Sequence, residues 1–121
     1  INENSKLHAF HNVFPEMNHN EIIGWETFNE NQLNCKTIIF NDKDYNDRNK
    51  KRIEITSDVI RKSGSEIILL ESEESDQKVR QIDLVYLGDW ISYYLALIRG
   101  FDPSEIENIN YLKNQLAENN L

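Results

Sequence analysis

The chain has 121 residues, 39% apolar and 28% charged, enough for one ordinary domain and too few for two. Its 13 Lys and Arg stand against 21 Asp and Glu, a formal net charge of −8. So acidic a domain repels phosphodiester backbones, and no basic stripe breaks the field, so general nucleic-acid binding is excluded. No apolar run approaches the ~20 residues that span a bilayer, and no basic-then-apolar signal opens the chain. The single Cys35 can form neither an internal disulfide nor a thiolate cluster, so the reducing cytoplasm is the expected compartment.

The chain starts at Ile1 without a Met, and Asn2-Glu3-Asn4-Ser5-Lys6 carries no helix-start pattern of its own. It reads as the end of an element whose beginning is absent, and hence as a piece of a longer protein. Residues 7–18 have no sustained period and Pro15 bars a continuing helix, which predicts an irregular connector. Asn18 then caps a short helix through about Trp25, with Glu21 in the capping-box position. Thr37-Ile38-Ile39-Phe40 is a β-branched apolar run that predicts a buried strand, closed by turn chemistry at Asn41-Asp42-Lys43-Asp44.

Residues 48–62 read as a helix with Ile53, Val59 and Ile60 as inward candidates and Ser63-Gly64 as its stop. Glu66-Ile67-Ile68-Leu69-Leu70 is a second buried strand. Residues 72–75 supply caps and acidic groups for a helix N-terminus. From Gln77 to Arg99 apolar side chains recur at Val79, Ile82, Val85/Tyr86, Trp90, Tyr93/Tyr94 and Leu97, one long helix through Gly88. Trp90, Tyr93 and Tyr94 read as core or interface. Gly100 is a C-cap, Asp102-Pro103-Ser104 a turn, and Ser104 the cap of a last helix through about Glu118. Strands alternating with helices imply parallel pairing. The expected fold is therefore α/β, a parallel sheet between helices, short of at least one strand and helix at its N-terminal end.

Motifs add little by themselves. There is no GxGxxG, Walker A, HExxH or paired CxxC, and Ser63-Gly64-Ser65 reads as a C-cap rather than a phosphate loop. His8, His11 and His19 lie near Glu16 and Glu21, but this spacing on irregular chain lacks the converging ligands a metal needs. Residues 42–52 mix both charge signs and read as a solvated face. Cys35, just before a strand, reads as a small buried residue rather than a nucleophile.

A resemblance carries the reading further. Asn2-Glu3-Asn4-Ser5-Lys6, then the stretch from Ala9 to Trp25 with Asn18-His19-Asn20-Glu21 at its centre, resembles one family. So do Gly88-Asp89-Trp90-Ile91-Ser92-Tyr93-Tyr94-Leu95-Ala96, Arg99-Gly100-Phe101-Asp102-Pro103 and Ile109-Asn110-Tyr111-Leu112-Lys113. The family is the bifunctional phosphoglucose/phosphomannose isomerases of archaea and bacteria, in their C-terminal half. The Glu-Asn-Ser-Lys and Asn-His-Asn-Glu blocks are its specific parts, and together the matches reach from Asn2 to Lys113.

The resemblance implies a SIS (sugar isomerase) fold, flavodoxin-like, with residues 1–121 as a single, partial C-terminal SIS domain of a two-SIS-domain enzyme. It implies interconversion of glucose 6-phosphate and mannose 6-phosphate with fructose 6-phosphate, in glycolysis and gluconeogenesis, without metal or organic cofactor. Glu3 then corresponds to the catalytic base, His19 to the ring-opening histidine and Lys113 to the family's C-terminal lysine. Ser104 stands where many relatives carry Thr and is a candidate substrate-binding hydroxyl. His8, His11, Glu16 and Glu21 match the family without an assigned role.

Each assignment has chemistry behind it. Moving a proton between C1 and C2 through a cis-enediol needs a carboxylate over that edge of the open sugar. Opening the cyclic sugar needs a group that passes a proton near neutral pH, which suits imidazole. A cation steadies the developing enediolate oxygen. The family binds substrate phosphate with a Ser/Thr-rich turn of the preceding domain, and this chain has no equivalent. In the family the histidine also crosses a dimer interface. The expectation is therefore a homodimer whose isolated C-terminal piece is inactive. The alternatives are a sugar-phosphate-sensing SIS module and a catalytically dead dimerisation domain; Glu3 with His19 favours the enzyme, because a sensor needs no base.

Overall fold

The computed structural model describes residues 1–28 and 34–119. In chain order these form α1 (Asn2–Ser5), a 3-10 turn (Glu16–Asn18), α2 (Glu21–Gly24), β1 (Lys36–Phe40), α3 (Asp47–Lys62), β2 (Glu66–Leu70), α4 (Gln77–Ile98) and α5 (Glu107–Glu118). Two compact units divide the chain: Ile1–Phe10 with Tyr86–Leu121, and His11–Val85. Among the described residues no helix is long and apolar enough to cross a membrane.

The His11–Val85 unit contains the sheet. β1 and β2 pair in parallel, Lys36 opposite Glu66 through Phe40 opposite Leu70, as two apolar runs separated by one helix require. α3 is the crossover. Asn46 caps it by accepting from the Asn49 N–H at 2.9 Å, a contact that stabilises a helix by about 1 kcal/mol. Gly64, at φ 97°, ends it in the left-handed backbone that glycine adopts without a Cβ penalty. Ile39, Ile53, Ile60, Met17 and Leu84 form the buried apolar set. Ile60, 1% exposed, contributes about 2 kcal/mol through burial. The connector thus has one buried anchor, Met17, within a stretch otherwise exposed or half-buried.

Four local expectations change. Asn18 does not cap a helix: its amide donates to Thr56 Oγ1 at 2.7 Å, and α2 begins after Asn20 with no side-chain cap. Glu21 does not close a capping box, because its carboxylate accepts from the Asn12 amide instead. The cap of α4 is Asp76, which accepts from the N–H groups of Lys78 and Val79, while Ser72 donates to Asp83. Ser104 does not cap α5: its hydroxyl donates to Asp102, and α5 starts at Glu107 behind Ile106. In each case a polar side chain has found a better partner than the helix end offers.

α4 departs from expectation in which face it buries. Its buried residues are Arg80, Leu84, Ser92 and Ala96, a stripe of helical period that is half polar. Val79, Ile82, Val85, Tyr86, Trp90, Tyr93, Tyr94 and Leu97 are exposed. Trp90, Tyr93 and Tyr94 are therefore not core: Trp90 stacks on Tyr94 at 5.4 Å and meets Tyr86 and Tyr93 edge-on.

The residues expected to be a solvated face hold a buried acid. Asp42 accepts from Arg80 through both oxygens, from Nε at 2.9 Å and Nη2 at 3.0 Å. Arg80 also pairs with Asp44 and donates from Nη1 to the carbonyls of Glu74 and Ser75. One guanidinium thereby ties the loop after β1 to the loop after β2. The Arg80 hydrogen bond, with the Asp44 N–H behind it, holds the Asp42 carboxyl below the usual carboxylate range. The stabilisation this supplies is present above the ordinary Asp value, ~3.9, and is lost as pH falls through the depressed one. Arg80→Leu leaves Asp42 buried and unpaired, and is expected to lower Tm by at least ~5 °C in a thermal melt at pH 7. The loss shrinks as pH falls below ~4 and through the depressed value, where the paired Asp42 carboxyl itself becomes neutral. A melt unchanged at pH 7 contradicts the clamp.

Candidate active site

Glu3 lies in α1, a single helical turn closed by the Ser5 N–H donating to the Ile1 carbonyl at 2.9 Å. A turn this short does not persist alone, because nucleation fixes several dihedrals for one hydrogen bond. The residues after Glu3 supply what is missing. Ser5 is fully buried; its hydroxyl donates to the Ser92 carbonyl at 2.6 Å, and its own carbonyl accepts from Arg99 Nη1. Asn4 Nδ2 donates to Ser92 Oγ at 2.8 Å, and that hydroxyl donates in turn to the Asp89 carbonyl at 2.8 Å. On the other side, Asn2 and Ala9 exchange two hydrogen bonds at 2.9 and 3.0 Å. Leaving one of these buried groups without a partner costs about 1–3 kcal/mol.

Lys6 ends the turn in the left-handed backbone region at φ 50°, ψ 40°, which costs a residue with a Cβ about 1 kcal/mol. Its ammonium offsets that strain by donating to the Glu3 carbonyl at 2.7 Å and lies 3.5 Å from the Pro103 carbonyl. Lys6 thus links the Glu3 turn to the segment that carries Ser104.

That segment follows the end of α4. Gly100, at φ 76°, closes the helix with paired bonds, its own N–H to Leu97 and that of Phe101 to Ala96, so the expected C-cap is present. The Arg99 guanidinium rests over the Phe101 ring at 4.9 Å while it holds the Ser5 carbonyl. Asp102 then accepts from both the N–H and the hydroxyl of Ser104, at 2.8 and 2.6 Å, which makes the expected turn. These two bonds, hydroxyl first, hold the Asp102 carboxyl below its ordinary value, with Lys6 adding a smaller effect.

The four residues singled out from the sequence are distributed as follows. Glu3, Ser104 and Lys113 belong to the Ile1–Phe10/Tyr86–Leu121 unit, and all three are exposed. The Glu3 carboxylate makes no hydrogen bond or ion pair among the described residues, so its oxygens are open to solvent. Lys113 lies on α5. His19 belongs to the other unit, follows the 3-10 turn, donates its N–H to the Glu16 carbonyl at 2.9 Å, and exposes its ring. Among the described residues no three His, Cys, Asp or Glu side chains gather as metal ligands. A hollow of about 370 Å³ is lined by Trp25, Glu26, Phe28, Val59, Lys62 and Ser63 and includes none of the four.

Comparison with known proteins settles what kind of domain this is. A model of the bacterial phospho-glucose isomerase C-terminal SIS domain matches residues 1–116. The chain belongs to that family. Similar proteins include the bifunctional phosphoglucose/phosphomannose isomerase of Aquifex aeolicus, 36% identical over 118 residues, which are 98% of this chain and 37% of that protein. The proteins of the same name from Caldicellulosiruptor bescii and Thermoplasma acidophilum are 39% and 32% identical, over 98% and 97% of this chain and 35% and 36% of their own length. The chain therefore spans little more than a third of the relatives it matches. No solved structure matches it. Within this SIS family the parallel β1–β2 pair and its flanking helices are the α/β architecture expected from the sequence.

Sequence reasoning missed Ser5, Ser92 and Arg99 as the groups that hold the Glu3 turn. Ser92 and Arg99 lie inside the matched blocks, so their membership was visible while their partners, about 90 residues away, were not. The turn at Asp102 offers a direct check. Ser104→Ala removes the hydroxyl that does most to depress the Asp102 carboxyl, so its pKa should rise toward the ordinary Asp value in an NMR titration. An unmoved Asp102 would show that the hydroxyl does not face it.

Proposed function

We propose that this chain is the C-terminal part of an aldose–ketose isomerase that interconverts glucose 6-phosphate and mannose 6-phosphate with fructose 6-phosphate. Family membership supports a sugar isomerase, and relatives almost three times as long support a preceding domain that brings the phosphate-binding turn. The observation that carries the reading is Glu3: an exposed carboxylate with no partner among the described residues, on a turn that buried and half-buried hydrogen bonds hold.

In this reading His19 passes a proton between the ring oxygen and the adjoining hydroxyl, and so opens the cyclic sugar. The Glu3 carboxylate takes the proton from C2 of the open aldose. The electron pair left behind forms the C1=C2 bond as the aldehyde oxygen gains a proton, giving the cis-enediol. Collapse of the C2 hydroxyl to a carbonyl then returns the proton from Glu3 to C1 and yields the ketose. No hydride leaves and nothing is oxidised overall, so no cofactor enters the balance. Lys113 supports negative charge on the oxygen at C1 or C2, and the Ser104 hydroxyl contacts the sugar chain. Rotation of the enediol about C2–C3, which presents either face of C2 to the same Glu3 acid, accounts for glucose and mannose products together.

The same reading places His19 in the site of a second copy, in a cytoplasmic homodimer. It also makes residues 1–121 inactive alone, because the binding energy of the remote phosphate is what positions the sugar. In the full-length enzyme, Glu3→Gln is expected to lower kcat by at least ~100-fold on both substrates in a coupled assay, with folding intact. A folded Glu3→Gln enzyme with full turnover rules out Glu3 as the base.

A further inference from the structure

We infer that Ser92 is a positioning residue for Glu3: its hydroxyl and carbonyl, through Asn4 and Ser5, fix the backbone on which the carboxylate stands. This rests on the reading of Glu3 as the base and extends it to a residue of a different element.

Three observations converge on Ser92. It is 3% exposed within an α4 face whose apolar side chains mostly point away, so it is not buried for want of a better surface residue. Its backbone carbonyl accepts from the fully buried Ser5 hydroxyl at 2.6 Å. Its side-chain oxygen accepts from Asn4 Nδ2 at 2.8 Å and is itself fixed by donating to the Asp89 carbonyl at 2.8 Å. Asn4 is the neighbour of Glu3 and Ser5 the residue after that. The two bonds therefore act on the peptide that immediately follows the carboxylate, and they run to a 22-residue helix rather than to a loop. Arg99, about two turns further along and just past the end of α4, adds a third bond at the Ser5 carbonyl.

A glutamate on a four-residue turn has three side-chain torsions of freedom and a backbone that frays without tertiary support. A displacement of about 1 Å at a reacting group can cost ~100-fold in rate. Anchoring the turn on α4 sets the height of the carboxylate over the sugar while leaving its oxygens free. The Ser92 hydroxyl suits this role because it is at once donor and acceptor: it spends its proton on α4 and presents a lone pair to Asn4.

The test uses the full-length isomerase and four variants: Ser92→Ala, Ser92→Thr, Asn4→Ala and Glu3→Gln. Positioning predicts that Ser92→Ala lowers kcat by ~10-fold or more with KM within ~3-fold, and that Ser92→Thr, which keeps the hydroxyl, recovers most of the rate. It also predicts that Ser92→Ala adds no further loss in the Glu3→Gln background, because the group it positions is gone. If Ser92→Ala does not fold, Asn4→Ala removes the same bond from the half-exposed side and must show the same loss and the same lack of additivity. A folded Ser92→Ala enzyme with lower Tm but unchanged kcat, beside an inactive Glu3→Gln, overturns the positioning role alone. Full additivity of the two losses also overturns it. Unchanged kcat in Glu3→Gln removes the base itself and this inference with it.

Discussion

A carboxylate proposed to act on a substrate has to be exposed, and on a short helical turn exposure and rigidity oppose each other. The chain resolves this with polar burial beside the carboxylate rather than at it. Ser5 and Ser92 are buried, Asn4 and Arg99 bond to them, and Glu3 projects from the turn they hold. Each bond is worth only about 1 kcal/mol net, but each leaves a buried group stranded if it breaks, so the set opens together or not at all. Lys6 extends the arrangement to the Asp102–Ser104 turn by accepting a strained backbone in exchange for the Glu3 carbonyl.

The same device recurs in the unit that holds the sheet. Arg80 is 1% exposed and satisfies two loop carbonyls and two carboxylates, joining the chain as it leaves β1 to the chain as it leaves β2. Carboxyl ends of parallel strands are where α/β folds place ligand-binding loops, and such loops have few apolar contacts of their own. α4 carries both Arg80 and Ser92 on its buried stripe. Its interior face is thus polar at the two places where order in a neighbouring segment matters most, and its large apolar side chains lie outward.

How legible this was depends on the range of the interaction. The positions of the strands and α3 could be read because their signal is local: two short apolar runs bounded by polar residues, and one helix between Asn46 and Gly64; the expected burial of β2 does not hold, since Ile68 and Leu69 are exposed. The caps at Asn18 and Glu21 were misassigned because each side chain is taken by a partner that local spacing does not disclose, Thr56 being 38 residues from Asn18; at Ser104 the local Asp102 turn takes the hydroxyl instead. The apolar period of α4 was real but marked the exposed face, since the buried stripe is built from an arginine, a serine, an alanine and one leucine. Asp42 looked like part of a solvated run for the same reason: its partner lies 38 residues away. The candidate site was not legible from periodicity at all. Glu3, His19, Ser104 and Lys113 came from the likeness of whole blocks, and chemistry then said what each residue type could do.

The central claim is that an exposed Glu3 on an anchored turn moves the proton between C1 and C2. Deuterium wash-in tests it most directly: fructose 6-phosphate is turned over in D2O by the full-length enzyme, and the aldose products are analysed by NMR. An exposed carboxylate exchanges its proton with solvent, so the wild-type products should carry deuterium at C2, and the Glu3→Gln enzyme should introduce none. Products free of deuterium after complete turnover by the wild type would mean that the hydrogen crosses without visiting a solvent-exchanging base, and would contradict the assignment of Glu3.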